Sequence, residues 1–175
     1  MPQYPGLSEA IDAIIDLTVR GGPLIPLIML TSLLLWTLII ERYWFYRFRY
    51  PSILARTVAQ WNLRIEQQSW YARRIREGMI SELSVALRRG LIPIKTLAAV
   101  LPLLGLLGTV TGMVATFDIL QQYGNSNPQA LSSGISKALL PTTAGLVTAI
   151  AALFFSINLQ QRAETEINRV RDKLV

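Results

Sequence analysis

The chain has 175 residues, of which 51% are hydrophobic and only 16% are charged. This composition excludes an ordinary soluble domain of the same size. The chain has no cysteine and no histidine, which excludes disulfides, thiol chemistry, zinc or haem sites and histidine proton relays. The formal net charge of +6 does not predict a nucleic-acid role, because the basic residues cluster in a loop that follows an apolar run.

Three stretches contain no charged residue: 21–40, 96–117 and 138–161. Each has about the 20 residues that a helix needs to cross roughly 30 Å of hydrocarbon. A single run of this kind could be a buried core helix, but three in one short chain indicate membrane spans. The sequence predicts an all-α polytopic membrane protein with three long transmembrane helices that extend into the cytoplasm.

Residues 1–20 have apolar side chains at helical spacing and end at a pair of glycines. This pattern predicts a short amphipathic helix at the outer membrane surface. The segment holds three acidic residues and no basic start, so we do not interpret it as a cleavable signal.

Basic residues are concentrated in residues 41–95, whereas the connection between the second and third runs, 121–134, has no charge. The positive-inside rule then predicts a cytoplasmic helical loop at 41–95 and a cytoplasmic helical tail at 162–175. The N-terminus and the loop at 118–137 are predicted to lie outside. Within the cytoplasmic loop we expect two helices over 52–90, with a break near Gly78 or a little earlier.

The first span is followed by "ERYWFYRFRY", residues 41–50. Aromatic rings alternate with arginines in this stretch, as in an interfacial belt with rings at headgroup depth and guanidinium groups toward anionic lipid.

Small and hydroxyl residues form a stripe on one face of each of the last two spans. In the second span these residues are Gly105, Thr109, Gly112 and Thr116, and in the third span they are Thr142, Gly145, Ala149, Ala152 and Ser156. One interpretation is close helix packing in lipid. The other is a polar lumen or a polar partner helix, because the two spans hold more threonines than close packing requires: Thr109, Thr111, Thr142, Thr143 and Thr148. Some hydroxyls could instead bond to carbonyls of their own helix.

No acidic residue lies inside a predicted span. The carboxylate nearest to one is Asp118, at the outer end of the second, and Lys137 begins the third at the same level. At the outer ends of the two spans, which we call the outer rim, these two side chains could meet, or each could extend separately to the membrane interface. A proton path needs a titratable group inside the membrane, so this chain needs a partner to supply one.

Three motifs in the predicted spans resemble the ExbB/TolQ/MotA proton-channel family, and ExbB within it. They are "LPLLGLLGTVTGMVATF" in the second span, "GISKALLPTTAGLVTAIAALFFSINLQQ" in the third and "IIER" at the end of the first. The resemblance implies a homopentamer in the bacterial inner membrane, with the N-terminus in the periplasm and the second and third spans around a pore. It also implies an ExbD-type single-span partner that bears the essential aspartate, and proton flow that energises TonB for import of iron-siderophores and similar cargo.

By position, Thr109 and Thr142 match the threonines of this family that face the lumen near the partner's aspartate. Lys137 stands where many members have glutamate, which suggests a short, divergent ExbB of a secondary TonB system. Pro141 would free the carbonyl of Lys137 for water or for the partner. A TolQ-like role in envelope constriction and a non-conducting membrane scaffold stay open. We expect neither an enzyme nor a cofactor, because the sequence shows no nucleophile-base pair and no metal constellation.

Overall fold

The computed structural model describes residues 21–123 and 128–174, with residues 9, 12, 14–16 and 18 of the N-terminal segment. These residues form helices joined by turns and short irregular segments, and no strand occurs among them. The helices are α1 (Leu24–Trp44), α2 (Tyr50–Asn62), α3 (Trp70–Arg88), α4 (Leu91–Tyr123) and α5 (Pro128–Lys173), and a π-helical turn, Phe45–Arg49, joins α1 to α2. The predicted all-α fold is confirmed. Most of the predicted helix at 1–20 lies outside the described residues.

Three helical stretches are long and apolar enough to cross a membrane: Leu24–Asn62, Trp70–Gln121 and Leu131–Lys173. Their most apolar windows are only 28%, 22% and 28% buried, so lipid or other chains must cover the rest. The prediction of three long apolar helices is confirmed. The chain is a membrane protein, and α5 continues as one helix through the predicted third span into the predicted tail.

The break in the predicted cytoplasmic loop lies at residues 63–69, between α2 and α3. Ser69 has extended backbone geometry there, and its hydroxyl oxygen accepts a 3.1 Å hydrogen bond from the backbone N–H of Ala72. This is an N-cap, which satisfies one of the free donors at a helix start. Gly78 lies inside α3, so the break comes before the glycine, at the earlier of the two places expected.

A glycine in a left-handed conformation separates α3 from α4. Gly90 has a φ of +81°, a value that side chains with a Cβ adopt only at a cost. A Cβ at this position would lie 2.7 Å from Nε of Arg42. The backbone conformation therefore favours glycine at this turn, and a larger residue would also displace the Arg42 side chain.

The chain divides into two compact units. The first comprises Met1–Leu34 and Leu97–Ala151, and it contains the start of α1, most of α4 and the first half of α5. Its core is built from small and branched apolar residues, including Ile25, Ile28, Ala98, Leu101, Ala138 and Ala149.

The second unit comprises Leu35–Thr96 and Ala152–Val175. It contains the end of α1, the π-helical turn, α2, α3, the first turns of α4 and the second half of α5. Larger apolar side chains form its core, among them Leu35, Ile39, Leu54, Trp61, Leu83, Leu87, Leu159 and Ile167.

Candidate functional site

In the first unit α4 and α5 pack as an antiparallel hairpin, and the predicted small-residue stripes form the contact. The order of contacts reverses along the two helices: Gly145 meets Leu101, Gly105 meets Thr142, Gly112 meets Ala138, and Thr116 meets Gly134. Close approach of two helix backbones is what small residues permit in a membrane. The packing interpretation therefore holds for Gly105, Gly112, Thr116 and Gly145 within one chain.

At Gly145 the backbones of the two helices approach each other closely. A Cβ on this residue would lie 2.7 Å from the Leu101 carbonyl oxygen and 3.2 Å from Cα of Gly105. Both neighbours are backbone atoms, which cannot rotate away as a side chain can. Alanine is therefore already too large at Gly145.

Thr142 joins the two helices through its hydroxyl. Its Oγ1 donates a 2.7 Å hydrogen bond to the carbonyl oxygen of Gly105, and the side chain is half-buried. Because the hydroxyl proton is used in this bond, the oxygen keeps its lone pairs as acceptors. Among the predicted site threonines, Thr142 is the one whose hydroxyl bonds to the other helix.

The other threonines of the two stripes bond to their own helices, as the sequence allowed. The hydroxyl of Thr109 donates to Leu106 O at 2.7 Å, that of Thr116 to Gly112 O at 2.8 Å, and that of Thr143 to Leu140 O at 2.9 Å. Thr109 is half-buried, Thr116 buried and Thr143 exposed. Each hydroxyl proton is therefore used in a hydrogen bond, and the hydroxyl oxygen can only accept a further one.

Lys137 and Asp118 are both exposed, and no ion pair found among the described residues joins them. Lys137 instead lines a cavity of about 460 Å³ in the first unit. Thr111 and Ser133 also line it, as do Gly21 and Gly22 before α1, and none of its lining residues is acidic. Lys137 thus faces an uncharged cavity wall and meets no carboxylate of this chain there.

Pro141 and Ala149 both lie in the interior of the first unit. Pro141 is buried inside α5, where its ring faces Gly108 of α4. Because proline has no N–H, the carbonyl of Lys137 receives no helical hydrogen bond from residue 141. Ala149 is buried at 1% exposure, and its small side chain belongs to the helix-packing stripe.

The second unit contains a polar cluster that sequence reasoning did not single out. Arg42 is 8% exposed and makes a 2.9 Å ion pair with Glu41, while the hydroxyl of Tyr46 donates a 2.7 Å hydrogen bond to the carbonyl of Leu87. Leu87 O is one of the last carbonyls of α3, which have no partner inside the helix. The cluster therefore fixes the end of α3 next to Gly90. The "IIER" motif contains Arg42, but only the fold reveals that its side chain is buried.

Two tyrosines of the second unit have altered acidity. Burial raises the pKa of Tyr46, and the nearby Arg42 partly opposes the rise. Burial also raises the pKa of Tyr50, and the Glu166 carboxylate adds to it. Glu166 lies close enough for this effect, yet no hydrogen bond of good geometry satisfies the buried Tyr50 hydroxyl. Both phenols keep their protons at neutral pH.

The family model of the MotA/TolQ/ExbB proton channel family matches residues 50–172, which include all of α4 and all but the last residue of α5. The biopolymer transport protein ExbB of Aquifex aeolicus is 34% identical over 95 residues, covering 54% of this chain and 60% of that protein. An ExbB-like 1 protein of Synechocystis sp. is 49% identical over 70 residues, covering 38% of this chain and 28% of that protein. ExbB of Salmonella typhimurium is 41% identical over 58 residues, covering 33% of this chain and 24% of that protein.

The matched stretches thus span less than two thirds of each of these relatives. The family model covers most of the present chain, from the first turn of α2 to the end of α5. The chain therefore belongs to the MotA/TolQ/ExbB proton channel family.

Proposed function

We propose that this chain is an ExbB-type subunit that assembles as a homopentamer around a proton path in the bacterial inner membrane. An ExbD-type single-span partner supplies the membrane aspartate, and proton flow energises TonB-dependent import of iron-siderophores and similar cargo. The N-terminus lies in the periplasm and the C-terminus in the cytoplasm. The family match over residues 50–172 is the observation that supports this proposal.

The need for a partner follows from the chemistry of the spans. Residues 96–117 and 138–161 contain no Asp, Glu, Lys, Arg or His, so neither span has a side chain that titrates at physiological pH. Threonine hydroxyls do not ionise in this range, and a proton path through side chains needs a group that does. A carboxylic acid on a second chain meets this need.

The hairpin threonines suit a partner acid in its protonated form. Thr142 and Thr109 each donate their proton to a backbone carbonyl, so each oxygen is left as an acceptor. A protonated carboxylic acid can donate to these oxygens, whereas a carboxylate has no proton to give. Hydrogen bonding to the neutral form raises a pKa. In this proposal the two threonines stabilise the protonated aspartate, and Thr143, which directly follows Thr142 on α5, is exposed.

The small residues of the stripes contribute differently. Gly105, Gly112, Thr116 and Gly145 hold α4 against α5, so in the proposed pore they set the spacing of the wall. Ala149 is buried on the same face of α5. Lys137 and Asp118 flank this hairpin at the predicted outer rim as separate charges. Pro141 leaves the carbonyl of Lys137 available to water or to the partner.

The proposal is tested by energised import in cells that depend on this subunit. Thr142→Val keeps the size of the side chain and removes the hydroxyl. We expect import to be lost while the protein still assembles with its partner. Import at the wild-type rate in this variant would remove Thr142 from the mechanism.

The hairpin packing also favours a second candidate, a non-conducting scaffold in which the stripes only pack helices. In that case Thr109→Ala would leave function unchanged, while replacement of Gly145 by a larger residue would abolish assembly. Loss of import in a fully assembled Thr109→Ala variant would eliminate the scaffold.

A further inference from the structure

A pocket of about 430 Å³ lies in the second unit, where α1 passes into the π-helical turn. We name it the arginine pocket. Its lining residues are Ile40, Tyr43, Trp44, Tyr46, Arg47, Phe48 and Arg162. Six of the seven come from one stretch of nine residues, and Arg162 comes from α5. None of its lining residues belongs to the stripes of small and hydroxyl residues in α4 and α5.

The charged side chains of the arginine pocket are all basic. Arg47 and Arg162 line it, and no acidic residue does. Neither arginine takes part in an ion pair found among the described residues. The guanidinium carbon of Arg162 lies 5.4 Å from the ring centre of Tyr43, and that of Arg47 lies 5.7 Å from the ring centre of Phe48. Stacking of this kind leaves the N–H edge of a guanidinium free to bind an anion.

The backbone is irregular at this pocket. Phe45–Arg49 is a π-helical turn, which accommodates an extra residue and changes the directions in which neighbouring side chains point. Tyr46 uses its hydroxyl to bond Leu87 O, and the next residue, Arg47, lines the pocket. π-helical turns inside α-helices frequently occur at functional sites.

The sequence indicates the depth of the pocket in the membrane. Ile40 is the last residue of the first uncharged run, and Arg162 directly follows the third, which ends at Gln161. Both runs therefore change from apolar to charged at the level of this pocket. Trp44 and Phe48 remain 64% and 63% exposed, as expected for aromatic rings at the headgroup level.

We propose that the arginine pocket binds the phosphate of one anionic phospholipid from the leaflet on the side of the 41–95 loop. Arg47 and Arg162 bind the phosphate from two helical elements, and an acyl chain runs along Ile40 and Trp44 toward the hydrocarbon. Paired guanidinium groups match phosphate oxygens in geometry and charge. The depth of the pocket selects a lipid over a soluble phosphate, which has no apolar tail to place against Ile40.

The test measures lipid selectivity of the full chain in its assembled state. The protein is placed in nanodiscs of phosphatidylcholine with a minor fraction of phosphatidylglycerol, and bound lipid is identified by native mass spectrometry after release. We expect phosphatidylglycerol to be retained at least tenfold over its share in the disc. The doubly substituted variant Arg47→Gln, Arg162→Gln should lose this enrichment.

Arg49→Gln is the matched control. Arg49 lies in the same π-helical turn and is exposed, but it does not line the pocket. An equal loss of enrichment in Arg49→Gln would overturn the proposal in favour of diffuse attraction to a basic surface. Displacement of the lipid by millimolar inorganic phosphate would overturn the assignment to a lipid.

A second measurement uses the unaltered protein and does not depend on the folding of variants. A phosphatidylglycerol probe with a diazirine in its acyl chain should label the peptide that contains Ile40 and Trp44 more strongly than the matching phosphatidylcholine probe. Equal labelling by the two probes would contradict a site for anionic lipid.

Discussion

The hydroxyl of Thr142 donates a 2.7 Å hydrogen bond to the carbonyl oxygen of Gly105 on the facing helix of the α4–α5 hairpin. Such a bond is possible because Gly105 has no side chain between the two backbones: a Cβ there would lie 3.0 Å from Cα of Thr142. The glycine and the threonine are thus parts of one arrangement. The bond fixes the orientation of the Thr142 oxygen that we propose accepts from a partner acid.

Thr142→Val should abolish proton flux while lowering the stability of the protein only slightly. Interhelical hydrogen bonds in membranes contribute about 0.6 kcal/mol on average, so the variant should fold with only a small drop in melting temperature in detergent. Proton flux with the partner should be lost, and Thr142→Ser should restore it. Thr148→Val is the matched control, since Thr148 bonds only to Ala144 O of its own helix. Flux lost equally in the Thr148 variant would show that hydroxyl removal acts without regard to position.

Gly145→Ala should destabilise the hairpin. The added Cβ would meet backbone atoms of Leu101 and Gly105 at 2.7 Å and 3.2 Å, and overpacking of this kind costs about 1–3 kcal/mol. Thermal unfolding in detergent measures the effect. Gly78→Ala is the control, because a Cβ there meets nothing within 4 Å and alanine is the better helix former by about 1 kcal/mol. The two variants should shift the melting temperature in opposite directions; a shift in the same direction would contradict the packing described here.

Gly90→Ala should cost more than Gly22→Ala, although both glycines have positive φ, +81° and +76°. The backbone cost is about 1–2 kcal/mol at either position. Only at Gly90 would the new methyl group also meet a side chain, at 2.7 Å from Nε of Arg42. The difference in free energy of unfolding between the two variants measures the cost of the contact with Arg42. Arg42→Ala in the Gly90→Ala background should recover part of this cost. Equal losses at Gly22 and Gly90 would argue against the Arg42 contact.

Tyr46→Phe should loosen the end of α3. The variant leaves the carbonyl of the buried Leu87 without the 2.7 Å bond from the phenol, at a cost of about 1 kcal/mol. Amide hydrogen exchange should become faster near the C-terminal end of α3. Tyr71→Phe removes the hydroxyl of a tyrosine that is 67% exposed and should leave exchange unchanged. Unaltered protection in the Tyr46 variant would mean that the bond does not fix this helix end.

Much of the fold can be predicted from residue patterns, because a helix that crosses hydrocarbon must be apolar along its whole length. The break at 63–69 was harder to place, since a glycine is the usual signal and Gly78 stands inside a helix. Ser69 directly before Trp70 was the available signal, as a hydroxyl residue before an apolar helix start.

The candidate site was only partly predictable. Spacing alone places Gly105 and Gly145 on helix faces that approach another helix, and this is what the hairpin shows. Spacing cannot decide whether that helix belongs to the same chain, nor which carbonyl a threonine hydroxyl reaches. It also cannot tell whether Lys137 meets Asp118, because long side chains at a rim have many accessible directions.

Proton flux into liposomes tests whether this chain conducts protons only with an acid supplied by a partner. One preparation contains the chain alone, and the other contains it co-purified with an ExbD-type partner. Flux should occur only with the partner, and it should stop when the partner's membrane aspartate is changed to asparagine. Proton flux through the chain alone would contradict the account, because it would require a path that needs no titratable side chain.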